Sequence, residues 1–418
     1  MKPERVIITL LAAFLFLIPS GTGAREGPPR IVSVQFRGVR GVDKSFLAEE
    51  ISMGEGDSYS TPGLREDIRR LENLRLFSSI EADTATAPGG GVLITYTLEE
   101  NLYWIITPFL YKEDDYGVVY GLQYANSNLF GRKYSTYCAG NSGGLKGGQI
   151  NFAREMTNSR DYGFEIAAEM AESEHPVLDY WQRNHILGVS VYRRIGSAPA
   201  GYSIRRYLGF SAALEVKEFK AGGISLASDD SDVAVKNTLS FQYDDTDILY
   251  NPGRGKRIGF AVGYWNINGS ENIKSASSAL SAYKPLSGHA VLAGNISCEL
   301  YADPLPFYYL NFLGGYNFRG CRYGDYHGDS YLTSSIELRI LPRRRLNLWK
   351  SFLEPAAALF VDGAVIGGYD NFYRNRVHTG YGISFGVLTP YISPFFHLAW
   401  NEKGDLIDYL SLQSGWKF

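Results

Sequence analysis

From residue 103 onward the chain alternates apolar and polar residues in one short run after another. In 233–243, Val233, Val235, Leu239, Phe241 and Tyr243 share one face, and Lys236, Thr238, Ser240 and Gln242 share the other. Successive side chains of a strand point to opposite faces, so a period of two reads as strands with one greasy side. Such segments recur near 103–112, 115–126, 133–142, 145–155, 160–173, 180–193, 203–218 and 232–245. They continue near 254–266, 272–285, 288–301, 329–341, 354–362, 375–389, 391–401 and 408–418. That makes about sixteen, an even number, as in bacterial membrane barrels.

Two architectures use strands of this kind. A membrane barrel turns its greasy face to lipid, whereas a soluble sandwich buries the same face against a second sheet. Parity favours the barrel. If the first strand leaves the side where the chain enters, even-numbered strands must end there in short turns, and 157–160 and 285–288 supply them. The long connections 219–231 and 301–328 then fall on the far side. Composition agrees: 45% of residues are hydrophobic but dispersed, and Gly (46), Tyr (30) and Phe (23) suit a large β-protein with many turns. After the N-terminus no run approaches the roughly 20 apolar residues of a spanning helix. The net charge of −3 gives no nucleic-acid footprint.

Residues 1–24 read as a secretory signal. Lys2 and Arg5 give a positive start, 6–18 an apolar centre, and Thr22, Gly23 and Ala24 a small-residue cleavage site. An uncleaved anchor helix would use the same run, but its short length and small-residue flank favour cleavage after Ala24. Cys138, Cys298 and Cys321 are far apart and odd in number, so free thiols are expected.

Between the signal and the strands lies a small α/β module. Residues 31–37 alternate and end at Gly38, and Asp43 then caps a short helix holding Phe46, Leu47 and Ile51. A second helix starts near Thr61 and Pro62, with Leu64, Ile68, Leu71 and Leu74 at helical spacing. Two strands follow at 77–83 and 92–99, around a turn at 87–91. This β-α-α-β-β order over 29–101 resembles a POTRA domain, including Gly54 and Gly56 before the second helix, Leu76 and Phe77 at its end, and the closing Leu98, Glu99 and Glu100.

Further resemblances point the same way. The loop 313–322 reads Leu-Gly-Gly-Tyr-Asn-Phe-Arg-Gly-Cys-Arg, and Ile336, Glu337, Leu338 and Arg339 follow it. Together they resemble the inward-folded loop, with its Arg-Gly tip, of the BamA/TamA-like outer-membrane proteins, the bacterial surface antigen family. Residues 128–132, the Asp-rich 244–247 before Pro252 and Gly255, and Phe360, Val361 and Asp362 resemble motifs of that family. The last of these departs from the pattern, with Gly363 early and Ala364 where glycine is usual. Trp416 and Phe418 resemble the C-terminal aromatic signal that assembly machinery reads, with Gln413 in place of its usual glycine.

The fold expected is mainly β: an antiparallel transmembrane barrel of about sixteen strands over 103–418, preceded by one POTRA-like domain over 29–101. The resemblance implies a bacterial outer-membrane protein with its N-terminal domain in the periplasm. It implies assistance in inserting or translocating unfolded outer-membrane or secreted clients, in contact with outer-membrane lipid and assembly-machinery components, with no cofactor and no enzymatic step. A passive pore or structural surface antigen on the same fold is the alternative.

Few residues suggest chemistry. Gly382, Ser384 and Gly386 match the Gly-x-Ser-x-Gly pattern of hydrolases, but that chemistry needs a strand-to-helix elbow and the stretch reads as continuous strand. The six histidines lack metal-ligand spacing, and His397 reads as a lumen or rim residue. The run 343–345 of three arginines reads as a solvated turn. In the loop, Gly314, Gly315, Phe318, Arg319 and Gly320 form the inward motif, since glycines let the chain double back and a desolvated guanidinium needs a carboxylate. Glu337 and Asp362 fall on the inferred inward faces of their strands, and the resemblance implies them as the wall partners of Arg319.

Overall fold

The two helices of the N-terminal module begin where the capping side chains stand. Asp43 accepts hydrogen bonds from the amide and hydroxyl of Ser45 and opens α1 (Lys44–Glu50). Those bonds hold the Asp43 carboxyl below its usual pKa range. Ser60 accepts from Gly63 N and opens α2 (Thr61–Asn73), with Pro62 in its first turn. The computed structural model describes residues 28–113, 117–175, 180–196, 205–220, 224–227, 229–247, 251–314, 317–341, 346–348, 351–368, 370, 374–389 and 393–413. The signal-like segment 1–24, the arginine run 343–345, and Gly315, Trp416 and Phe418 lie outside them.

Both helices cover one face of a sheet made of β1 (Ile31–Arg37), β2 (Phe77–Thr86) and β3 (Val92–Glu100) in the order β1-β3-β2. Phe46, Leu47, Leu71, Leu76, Ile94 and Tyr96 are fully buried between helices and sheet. One carboxylate sits in this core. Asp67 accepts from Ser52 N, Ser52 Oγ, Met53 N and Tyr96 Oη, which satisfies a charge that could not otherwise be buried. Because β3 is central, β1 and β2 are both sheet edges.

Sixteen long strands follow among the described residues. The first eight are β4 (Trp104–Glu113), β5 (Gly117–Leu129), β6 (Tyr134–Gly143), β7 (Lys146–Arg154), β8 (Tyr162–Glu174), β9 (Trp181–Arg194), β10 (Arg205–Phe219) and β11 (Ser231–Asp244). Then come β12 (Gly255–Ile267), β13 (Glu271–Ser287) and β14 (Ala290–Tyr301). A short hairpin, β15 (Asn311–Leu313) with β16 (Tyr326–Gly328), interrupts the series inside the long loop. The wall resumes with β17 (Ser330–Ile340), the three-residue β18 (Leu346–Leu348), β19 (Ser351–Gly367), β20 (His378–Leu388), β21 (Ser393–Asn401) and β22 (Leu406–Gln413).

Each long strand pairs antiparallel with its neighbour, and the order comes round to β22 beside β4. That junction of the first and last strands, where no residue ladder joins the two among the described residues, is the seam. The outward face carries exposed Leu110, Leu122, Ile150, Leu187, Leu239, Phe260, Val361 and Leu410. So large an apolar outer surface is stable in lipid, not in water.

Several strand boundaries differ from those read off the sequence, and two of the differences involve a proline. The turn expected at 285–288 is shorter, because β13 continues through Pro285 to Ser287 by way of a bulge that absorbs the proline. The strand expected at 354–362 extends from Ser351 to Gly367. Pro355 interrupts the alternation, yet it lies where the β17 side of β19 has no ladder partner among the described residues, between the ladders to β18 and to β17.

The module is docked on the barrel through α1. Glu50, fully buried, accepts from Thr157 Oγ1, Ser159 Oγ and Asn158 N (2.9 Å) in the turn between β7 and β8. In the turn between β5 and β6, Gly131 O accepts from Asp43 N at 2.9 Å and Arg132 pairs with Glu49 at 3.1 Å. Asn128, in the last turn of β5, donates to Gly41 O. A Cβ on Gly131 would meet Gly41 O at 2.9 Å, so the close approach of the two backbones requires glycine there.

Candidate functional site

The loop between β14 and β17 folds back into the barrel and is held at two places. The first is Arg319. Its backbone geometry is set by a turn in which Gly314 N donates to Asn317 Oδ1 and Asn317 Nδ2 donates to Phe312 O. Gly314 adopts φ +139°, and a Cβ there would meet the Tyr323 backbone at 2.5 Å. Phe318 packs with Leu313, Cys321, Ala364 and Ile366, a small buried cluster that fastens the loop to β19. Gly320 lies flat on β20: a Cβ on it would come within 3.0 Å of Gly380 Cα. Glycine at 320 lets the backbone beside Arg319 approach the wall this closely.

Arg319 uses its whole guanidinium. Nε and Nη2 donate to Asp362 Oδ2 and Oδ1, both at 2.7 Å, in a two-pronged pair. Nη1 donates to Glu337 Oε1 at 2.6 Å and Nη2 to Ser335 Oγ at 2.7 Å. The backbone amide of Arg319 donates to Asp362 Oδ2 at 3.2 Å, and the guanidinium lies 3.7 Å above the Phe360 ring. Glu337 in turn accepts from Arg339 Nε at 2.7 Å. Two arginines against two carboxylates make the buried cluster neutral, which is the condition for keeping ions out of water.

The strands explain the convergence. Ile336 and Val361 point outward, so Ser335, Glu337, Phe360 and Asp362 point inward by alternation. Register then sets Ser335 opposite Asp362 and Glu337 opposite Phe360. Ser335 shares the parity of Glu337, a signal sufficient to propose it. Arg339 shares that parity too, whereas Phe360 as a cation-binding ring needs the register, which sequence lacks.

The second hold lies further out. Tyr308 Oη donates to Asp232, which also accepts from Leu226 N, Ala227 N and Asn268 Nδ2. Lys236 lies 4.2 Å from the Trp265 ring centre and 4.4 Å from that of Tyr309, with Glu215 as its ion partner. Tyr308 and Tyr309 thus pin the stretch after Pro306 across the inner faces of β10–β12.

Ser384 does meet a histidine. His397 Nδ1 lies 2.7 Å from Ser384 Oγ, and His397 Nε2 lies 2.8 Å from Ser411 Oγ. All three are buried, Ser384 is in mid-strand, and the third member is a hydroxyl where a hydrolase triad needs a carboxylate. The chain links β20, β21 and β22 across the lumen face and is a wall contact.

Comparisons with known proteins bear on this geometry. Residues 114–418 match the Omp85 superfamily domain, and residues 29–101 match the surface antigen variable number repeat, POTRA. No curated protein matches the chain. Among solved structures it is similar to BamA from Haemophilus ducreyi lacking POTRA domains 1–3, with TM-score 0.55 and 16% identity, over 92% of this chain and 85% of that one. It is also similar to CdiB from Escherichia coli, with TM-score 0.64 and 12% identity, over 92% and 75% of the two chains. CdiB from Acinetobacter baumannii aligns with TM-score 0.59 and 13% identity, over 92% and 74%. At these identities the likeness is one of fold.

Proposed function

Because the chain belongs to the Omp85 superfamily, we propose that it inserts proteins into the bacterial outer membrane or passes them across it. The observation that carries this reading is a sheet whose edge strand β2 pairs only with β3 among the described residues, fixed beside one end of the barrel by the docking of α1. An open strand edge pairs with any extended segment through backbone hydrogen bonds, so it captures unfolded clients with little sequence selectivity. Beside it, a cavity of about 270 Å³ opens between α2 (Arg70, Asn73 and Leu74) and the barrel's Tyr192, Arg194 and Tyr207.

In this reading residues 1–24 are removed as a signal, the module over 29–101 lies in the periplasm, and Trp416 and Phe418 mark the barrel for its own assembly. The client edge passes from the module to the seam between β4 and β22, where the first and last strands meet. Gly314, Phe318, Arg319 and Gly320 hold the loop against Glu337 and Asp362, so the wall keeps its shape when the seam opens. No step makes or breaks a covalent bond.

Depletion of the protein followed by an inventory of outer-membrane and secreted proteins tests the proposal. Broad loss of barrels supports insertion, and loss of one secreted protein supports dedicated translocation. An unchanged inventory would overturn both and leave a passive pore or structural surface antigen.

A further inference from the structure

At the module end of the barrel, register places Tyr134, Arg154 and Phe164 side by side on one face of β6, β7 and β8. Ile150, Ile166 and Met170 are exposed further along that face, so it is the one that meets lipid. The Phe152 ring lies between Tyr134 and Phe164, 5.9 Å from each, and the three rings form an apolar shelf. Arg154 stands at the lip of this shelf. Its Nε is enclosed and has no hydrogen-bond partner, and the adjacent Glu155 is bonded to Lys133.

A second cation stands close by. Arg160, almost fully buried, lies over the Tyr134 ring at 5.7 Å and over Phe46 of the docked module at 4.7 Å. Burial first, then the charge of Arg154, pushes its pKa down. The Glu50 carboxylate offsets this only in part, since it is already occupied by Thr157, Asn158 and Ser159. Two guanidiniums half out of water repel each other unless an anion lies between them. A phosphate diester suits the site, because its oxygens match the guanidinium fork, and aromatic girdles sit at headgroup depth.

We propose that Arg154 and Arg160 form a site for the phosphate of a glycerophospholipid, whose first acyl carbons lie on the Tyr134–Phe152–Phe164 shelf. The headgroup lies between the barrel wall and α1 and is held from both sides. This site is independent of how clients are handled.

Native mass spectrometry of the full chain in detergent, titrated with phosphatidylglycerol, tests it. One lipid is expected to bind, and Arg154→Gln is expected to weaken it at least about tenfold, the scale of a lost charge-assisted hydrogen bond. Arg193→Gln, which removes an outward arginine over the Tyr162 ring, is expected to leave binding unchanged. Equal binding by Arg154→Gln would overturn the site. Displacement of the lipid by inorganic phosphate, or equal binding of a phosphate-free diacylglycerol, would overturn the phospholipid assignment. If Arg154→Gln yields no folded barrel, Arg154→Lys serves instead. Weakened phosphatidylglycerol binding supports the site and undiminished binding overturns it.

Discussion

At the scale of residues, Arg319 carries more contacts than any other side chain in the loop, and its removal has a defined cost. Arg319→Ala leaves Asp362 buried without its cation and Glu337 with Arg339 alone, a loss of roughly 3–5 kcal/mol at that contact. The expected result is a folded barrel that unfolds at lower temperature in a heating series and exposes the loop to protease. Arg319→Lys should recover little, because a point charge cannot grip two carboxylates and lie flat on Phe360. Asp362→Ala placed in the Arg319→Ala background should add little further loss, and fully additive losses would mean the two do not act as a pair. Much of this cluster could be read from alternation, since an acid between two outward apolar residues has to face inward. What alternation cannot supply is offset. Phe360 joins the cluster because of how β17 is staggered against β19, and that stagger is fixed by the packing of the whole wall.

At the scale of elements, strands were easier to find than their ends. The greasy face repeats over many residues, but a terminus depends on whether the neighbouring strand is still present, as at Pro355. The hairpin of β15 and β16 and the Tyr308–Asp232 hold gave no periodic signal, because a short element packed on side chains has no repeat to display. The docking of α1 was equally hidden: Glu50 looks like an ordinary surface glutamate until the turn at 157–159 covers it. Glu50→Ala strands three donors of that turn, each costing about 1–3 kcal/mol if left unsatisfied. We expect amide exchange in α1 to rise roughly tenfold while exchange in β10–β12 stays unchanged. No change in α1 would mean that Glu50 does not hold the module in place.

At the scale of the whole molecule, a barrel in lipid pairs its backbone polar groups from strand to strand, which makes it resist unfolding until heated. Unboiled protein should therefore migrate differently from boiled protein on a mild denaturing gel and give a β-dominated circular dichroism spectrum. Equal migration with a helical spectrum would contradict the architecture. The seam carries the functional account. It lies between β4 and β22, and the polar chain Ser384–His397–Ser411 ties β22 to the strands behind it, so movement there is expected on the β4 side. Cells depleted of the native chain and supplied with cysteine pairs scanned along 104–110 and 406–411 give the most direct test. With the pair oxidised, the account predicts the same loss of outer-membrane or secreted proteins as depletion, and recovery when reductant opens the bond. A locked barrel that sustains a full complement of those proteins would contradict it.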